Sequence, residues 1–238
     1  MKMHLKSRRH AAEIVTSIML LIATASAGAA TRGASHAAQS RIEPYLMANR
    51  QQEIALARTA SPPSVAMHAT VLVLGAHGYV IAIKGSNGFV CLDERSWDSP
   101  PAAQSTAFWN PAYNTPKCLN ATGAQSVLPE YLMKTHWALM GASRGEISER
   151  LKAAWADGTL HAPPPGAICY MMSKLGSGVG GPGPWRPHVM FYFPNGQAPD
   201  WGANLGGNPI LNKVRKHVTV LLVLVPIWSD GSLAPRFK

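Results

Sequence analysis

The chain has 238 residues with 22 Lys and Arg against 12 Asp and Glu, a net charge of +10, and it is 47% apolar and 14% charged. That is the composition of a globular protein with one sizeable core, too hydrophobic for a disordered chain. A positive charge of this size bears on solubility and on encounter with anionic partners, not on fold.

The first thirty residues read as an export signal. Lys2, Lys6, Arg8 and Arg9 form a basic start, Ile14 to Ala25 an apolar stretch, and Ala25-Ser26-Ala27 a small-residue cleavage site. Cleavage there removes four basic residues and one acid and leaves a net charge of +7. The destination is the periplasm or the exterior, where nucleic acid is not a standing partner. Thr31 to Gln39 is Ala-rich and read as disordered, so residues 40–238 form a single domain.

Ser40 to Glu43 fits a capping box, with a helix running to Ala60 and ended by Pro62-Pro63. VLVL, YVIAIK and FVCLDE (71–74, 79–84 and 89–94) follow as a three-strand meander, with Asn87-Gly88 suited to a tight hairpin. Residues 96–117 hold four prolines and read as an irregular loop packed down by Trp97, Phe108 and Trp109. Two helices are expected over Pro129–Met140 and Glu146–Ala156, the second stopped by Gly158. AICYMMS, HVMFYF and VTVLLVLVP are strands, the last apolar enough to be buried on both faces yet too short for a membrane helix. The basic run Lys213 to His217 reads as a solvated loop. The fold class is α+β, a mainly antiparallel or mixed sheet of about six strands with three or four helices.

Export makes a disulfide plausible, and Cys91 with Cys118 would close the polar loop between them, worth about 3 to 4 kcal/mol in the chain-entropy picture. Cys169, inside AICYMM, reads as a core residue. Two motifs fail on context. GASRG (141–145) satisfies a nucleophile elbow, but a helical pattern precedes it where a strand is needed, so Ser143 with Glu146 reads as a capping box. GSGVGG (176–181) satisfies a dinucleotide fingerprint, but Pro182-Gly183-Pro184 follows and opens no helix. The histidines show no metal-ligand spacing and the cysteines no C-x-x-C, so no metal and no cofactor are expected.

The candidate site is the Gly- and Pro-rich stretch before HVMFYF. Trp185 offers a stacking surface, Arg186 a partner for carboxylate or phosphate, and His188 a base or ligand, with His77 of the GAHG turn in support. These residues suggest a non-catalytic exported domain that binds a small ligand, an envelope glycan or a protein. The alternatives are a hydrolase pairing His188 with Asp200, and a structural or assembly factor of the envelope with a flat apolar patch.

Overall fold

The polypeptide pairs eight segments into one sheet: β1 (Thr70–Gly75), β2 (Gly78–Ile83), β3 (Val90–Glu94), β4 (Thr115–Leu119), β5 (Ala167–Met171), β6 (His188–Pro194), β7 (Ile210–Val214) and β8 (Val218–Leu224). The structure is a computed structural model and describes residues 42–98, 108–176 and 186–235. The export signal, residues 31–39 and Trp185 lie outside the described residues. The strand order is β2-β1-β3-β4-β5-β6-β8-β7, and every pairing is antiparallel except the short parallel contact of β1 with β3. Five helices accompany the sheet: α1 (Arg50–Arg58), α2 (Pro63–Ala66), α3 (Ala121–Ser126), α4 (Leu128–Leu139) and α5 (Arg144–Ala156). The class is the α+β expected, with eight strands and five helices where about six and three or four were read.

Alternation along the strands assigns each side chain to one of two covered faces. Val71, Val73, Cys91 and Cys118 form one core with Ile54 and Ala57 of α1. Leu72, Leu92, Leu119, Cys169, Met190, Tyr192, Val220 and Leu222 form the other, against Leu128 and Tyr131 of α4. With a layer on either side, β1 carries no polar face, which explains the unbroken VLVL. A third cluster joins Tyr45 and Trp97 to Ala138, Leu139 and Ile147 of α4 and α5, with Phe108 and Trp109 packed on it. The Trp97 and Trp109 rings lie 5.8 Å apart, so these aromatics pack together, while residues 99–107 between them lie outside the described residues.

Three local readings need correction. The first helix is not continuous: a short 3-10 turn at Glu43–Tyr45 precedes α1, whose cap is the Asn49 side chain accepting from Gln51 N. The first three strands are no meander, because β1 lies between β2 and β3. The chain leaves β2 and crosses the start of β1. There a Cβ on Gly85 would stand 2.2 Å from Thr70 N and 2.4 Å from His68 O, so only glycine fits the crossing. Asn87 braces this crossing by donating to Val65 O at 2.8 Å, and makes no hairpin with Gly88. Lastly, Thr115–Leu119 and Ile210–Val214 are strands, which takes Thr115 to Lys117 and Lys213 to Val214 out of the loops expected over 96–117 and 213–217. β8 is therefore the penultimate strand and not a central one, though Thr219 to Leu222 are buried as its apolar run implies.

Both sheet margins are blunted against further pairing. At β2, Arg50 Nη2 donates to Ile81 O at 3.1 Å. At β7 the preceding loop does the same through Asn204, whose φ of 66° is the left-handed value that Asn tolerates. Asn204 N donates to Ile210 O at 2.9 Å and its Oδ1 accepts from Asn212 N at 3.1 Å, while Asn208 Oδ1 accepts from Ile210 N at 2.9 Å.

The GASRG turn is a helix-helix joint. Gly141 takes φ 85°, Ser143 Oγ accepts from Glu146 N at 3.3 Å, and Ser143 N donates to Glu146 Oε2 at 2.7 Å. These bonds from Ser143 hold the Glu146 carboxyl below its usual range. Ser143→Ala is expected to cost about 1 kcal/mol in urea unfolding, and Ser143→Asp, which also caps, to cost little; equal losses in the two variants would contradict the cap.

Candidate functional site

The densest chemistry lies where the sequence reading placed none, at the end of β3. Asp93, Glu94 and Arg95 follow one another there, and alternation sends Asp93 toward α1 and Glu94 toward α4. Arg95 is 1% exposed. Its Nη2 donates to Glu53 Oε1 at 2.7 Å, its Nη1 to the Asp93 carboxylate and to Asp93 O, and its Nε to Tyr45 O at 3.3 Å. Glu53 Oε1 also accepts from Leu74 N at 2.9 Å. One guanidinium thus ties the segment before α1, α1 itself, β1 and β3. Asp93 Oδ1 has no hydrogen-bond partner, and burial pushes the carboxyl up to about 7, against the pull of Arg95 and with the help of Glu53.

On the opposite face Glu94 forms an ion pair with Lys117 of β4. Lys117 Nζ also donates to Tyr131 OH at 3.1 Å and lies 4.4 Å from the centroid of that ring. Burial alone would lower the Lys117 ammonium, but Glu94 together with the neighbouring Tyr192, Cys169 and Tyr113 outweighs it and holds the group above its usual range. Lys134 pairs with Glu130 at 2.5 Å and donates to Asp98 O at 3.4 Å. Neither carboxylate oxygen of Asp98 has a hydrogen-bond partner. Burial and then Glu94 push this carboxyl well above its usual range, with Lys134 and Lys117 pulling the other way.

A carboxylic acid kept protonated near neutral pH is what a general acid requires, but buried ion networks shift pKa values in the same direction. Exposure decides between them. Asp93 is 0% exposed, and Glu94 and Asp98 are each 2% exposed, beneath α1, α4 and the Trp97 cluster, so a substrate has no contact with them. The groups act as structure.

The candidates read from sequence are dispersed. His188 opens β6, is buried, and its Nδ1 stands 2.9 Å from Arg186 O, a carbonyl that can only accept, so Nδ1 carries the proton. Burial lowers this imidazole to about 4, which keeps it neutral. Arg186 is half-buried beside it. Asp200 is exposed, and its Oδ1 accepts from Gly202 N at 2.9 Å. The neighbouring Trp201 packs edge-on against Phe191 and Phe193, the odd-numbered side chains of β6, whereas His188 shares the even-numbered face with Met190 and Tyr192. His188 and Trp201, the residue after Asp200, therefore lie on opposite faces of β6. His77 is exposed in the β1–β2 turn, four strand spacings or about 19 Å across the sheet from β6.

Cys91 and Cys118 form the disulfide read from sequence, as directly opposed residues of β3 and β4 with Cα atoms 4.0 Å apart. Cys169 is a buried free thiol, pushed by burial up to about 12. Among the described residues no group of three His, Cys, Asp or Glu is placed to hold a metal ion, and no helix is long and apolar enough to cross a membrane. No protein-family model, curated protein or solved structure matches the chain.

The buried charges make stability depend on pH. Asp93 titrates near 7 when folded against an ordinary 3.8, so the native state holds the extra proton between those values and stability falls as pH rises through that window. Asp98 acts in the same sense. His188 acts oppositely: at about 4 when folded against 6.5, it adds stability as pH rises from 4 to 6.5. Urea midpoints followed from about pH 4 to 8 should show a steeper fall with pH in His188→Gln and a shallower one in Asp93→Asn. Unchanged slopes in both would contradict the assignment.

Proposed function

We propose that the protein is an exported, non-catalytic binding domain of the cell envelope. The observation that supports this reading most is the Cys91–Cys118 bond, fully buried at the junction of β3 and β4 under α1. Such a bond persists in an oxidising compartment, which agrees with the leader read in the first thirty residues. The net positive charge suits encounter with anionic envelope components.

The placement of the reactive side chains favours binding over catalysis. Ser143 is engaged as a helix cap, the Cys169 thiol is raised and enclosed, His188 is buried with its Nδ1 on Arg186 O, and Asp200 is exposed with its Oδ1 on Gly202 N. The ligand expected at the approach to β6, where Arg186 lies, is a small molecule, an envelope glycan or a protein.

Fractionation of cells making the full chain, followed by thiol alkylation, tests the reading. Envelope material should begin between residues 28 and 38, with Cys91 linked to Cys118 and Cys169 alkylated only after unfolding. Chromogenic esters, amides and glycosides should be turned over no faster by the mature protein than by a His188→Gln, Asp200→Asn double variant. Cytoplasmic protein with Met1 intact and three free thiols would overturn export, and turnover abolished in the double variant would overturn the non-catalytic assignment.

A further inference from the structure

The margin of the sheet formed by β7 combines two features that the buried charge cluster at β3 and β4 lacks: exposed cations and exposed apolar side chains. Lys213, Arg215 and Lys216 are exposed. In the same stretch of chain Leu205 is 66%, Val214 69% and Trp201 37% exposed. From Trp201 to His217 there is no Asp or Glu. Partial burial and the neighbouring Arg215 hold the Lys213 ammonium below its usual range, as crowding of like charges does.

This margin is held in place from behind. Asn195 Nδ2 donates to Arg215 O at 2.6 Å and to Lys216 O at 2.7 Å, and Thr219 Oγ1 donates to Asn195 Oδ1 at 3.0 Å. The His217 ring stacks on Trp155 of α5 with centroids 4.5 Å apart and planes 5° from parallel. Trp201 is seated on Phe191 at 5.3 Å. The backbone of the hairpin tip is therefore fixed while its cationic side chains project, which lowers the entropy lost on contact.

We propose that the β7 margin, Trp201 to Lys216, docks the protein on the surface of a bilayer rich in anionic phospholipid. The proposal rests on the export reading above and names the partner of the domain. Three observations select a bilayer. The cations match phosphate headgroups in charge. Alternation sets Lys213 and Arg215 on one face of β7 and Val214, with Trp201, on the other, so a bilayer met edge-on receives both, and Leu205, Val214 and Trp201 have a place in its interfacial layer and none on a hydrated glycan. Addition of a strand from a protein partner is opposed because Ile210 N, Ile210 O and Asn212 N, which point outward from β7, are already bonded to Asn204 and Asn208.

The test is co-sedimentation of the mature, disulfide-bonded protein with vesicles of phosphatidylcholine alone or with about one-third phosphatidylglycerol, at about 0.1 M salt. Binding is expected to the anionic vesicles only and to weaken as salt rises. The triple variant Lys213→Gln, Arg215→Gln, Lys216→Gln should lose about 100-fold in affinity, a factor of about five for each charge. Leu205→Ser with Val214→Ser should weaken binding and leave its salt dependence unchanged. Near-ultraviolet circular dichroism and an intact disulfide establish that each variant is folded. Equal binding to both vesicle types, no binding to the anionic ones, or full affinity in the triple variant would overturn the proposal while the export reading stands. Free thiols in cells would overturn both.

Discussion

The fold depends on a charge without water around it. The Arg95 guanidinium is enclosed by Glu53, Asp93 and the Tyr45 carbonyl, and through Glu53 it also fixes the Leu74 amide. An ion pair at this depth gives up most of its Coulomb energy to the lost hydration of its members, so its net contribution to stability is small. Loss of one partner is another matter, at about 3 to 5 kcal/mol, because an unpaired charge is left in the core. The cluster therefore acts by specification: α1 has one position over β1 and β3 at which Glu53 meets Arg95. The disulfide holds the same face, since Cys91 lies two residues before Asp93 and is bonded to Cys118 on β4.

Where the sequence was legible, one physical rule acted alone. Apolar runs gave strands, Ser143 with Glu146 gave a cap, and the expectation of an oxidising destination, with Cys91 and Cys118 in an outward and returning chain, gave the bridge. It was illegible where a distant partner changed the meaning of a residue. Lys117 and Pro116 look like loop, yet Lys117 is a strand residue because Glu94 and Tyr131 receive its charge. Nothing within the string DERSWD marks its acids and Arg95 as buried, yet they are, because their partners arrive from α1, β4 and α4. The β2-β1-β3 order depends on the close approach of Gly85 to the backbone at Thr70, and no pattern of hydrophobicity encodes that approach. Of the candidate site, the position of His188 at the entrance of a strand was legible but its face was not: the alternation of β6 places it away from Trp201. The run from Lys213 to His217 looked like solvated loop because its basic residues dominate, and pairing with β8 made its first part an edge strand.

A division of labour follows from where the charges are. Those at the ends of β3 and β4 are buried and paired within the core, while Lys213, Arg215 and Lys216 of β7 and its tip are exposed. The first set specifies how the helices sit on the sheet, and the second is the set proposed to meet a partner. Arg215 acts at a distance on Glu130 and Tyr131, while Asp93 and Arg95 answer to α1. A contact made at the β7–β8 tip has no need to disturb the buried network.

Amide hydrogen exchange on the mature protein, with and without anionic vesicles, tests this division most directly. The account predicts added protection confined to residues 201–217, with exchange in β3, β4 and α4 unchanged at its slow, globally limited rate. Protection or deprotection centred on Glu94, Asp98 and Lys117 would contradict it, since the buried charges would then respond to a partner.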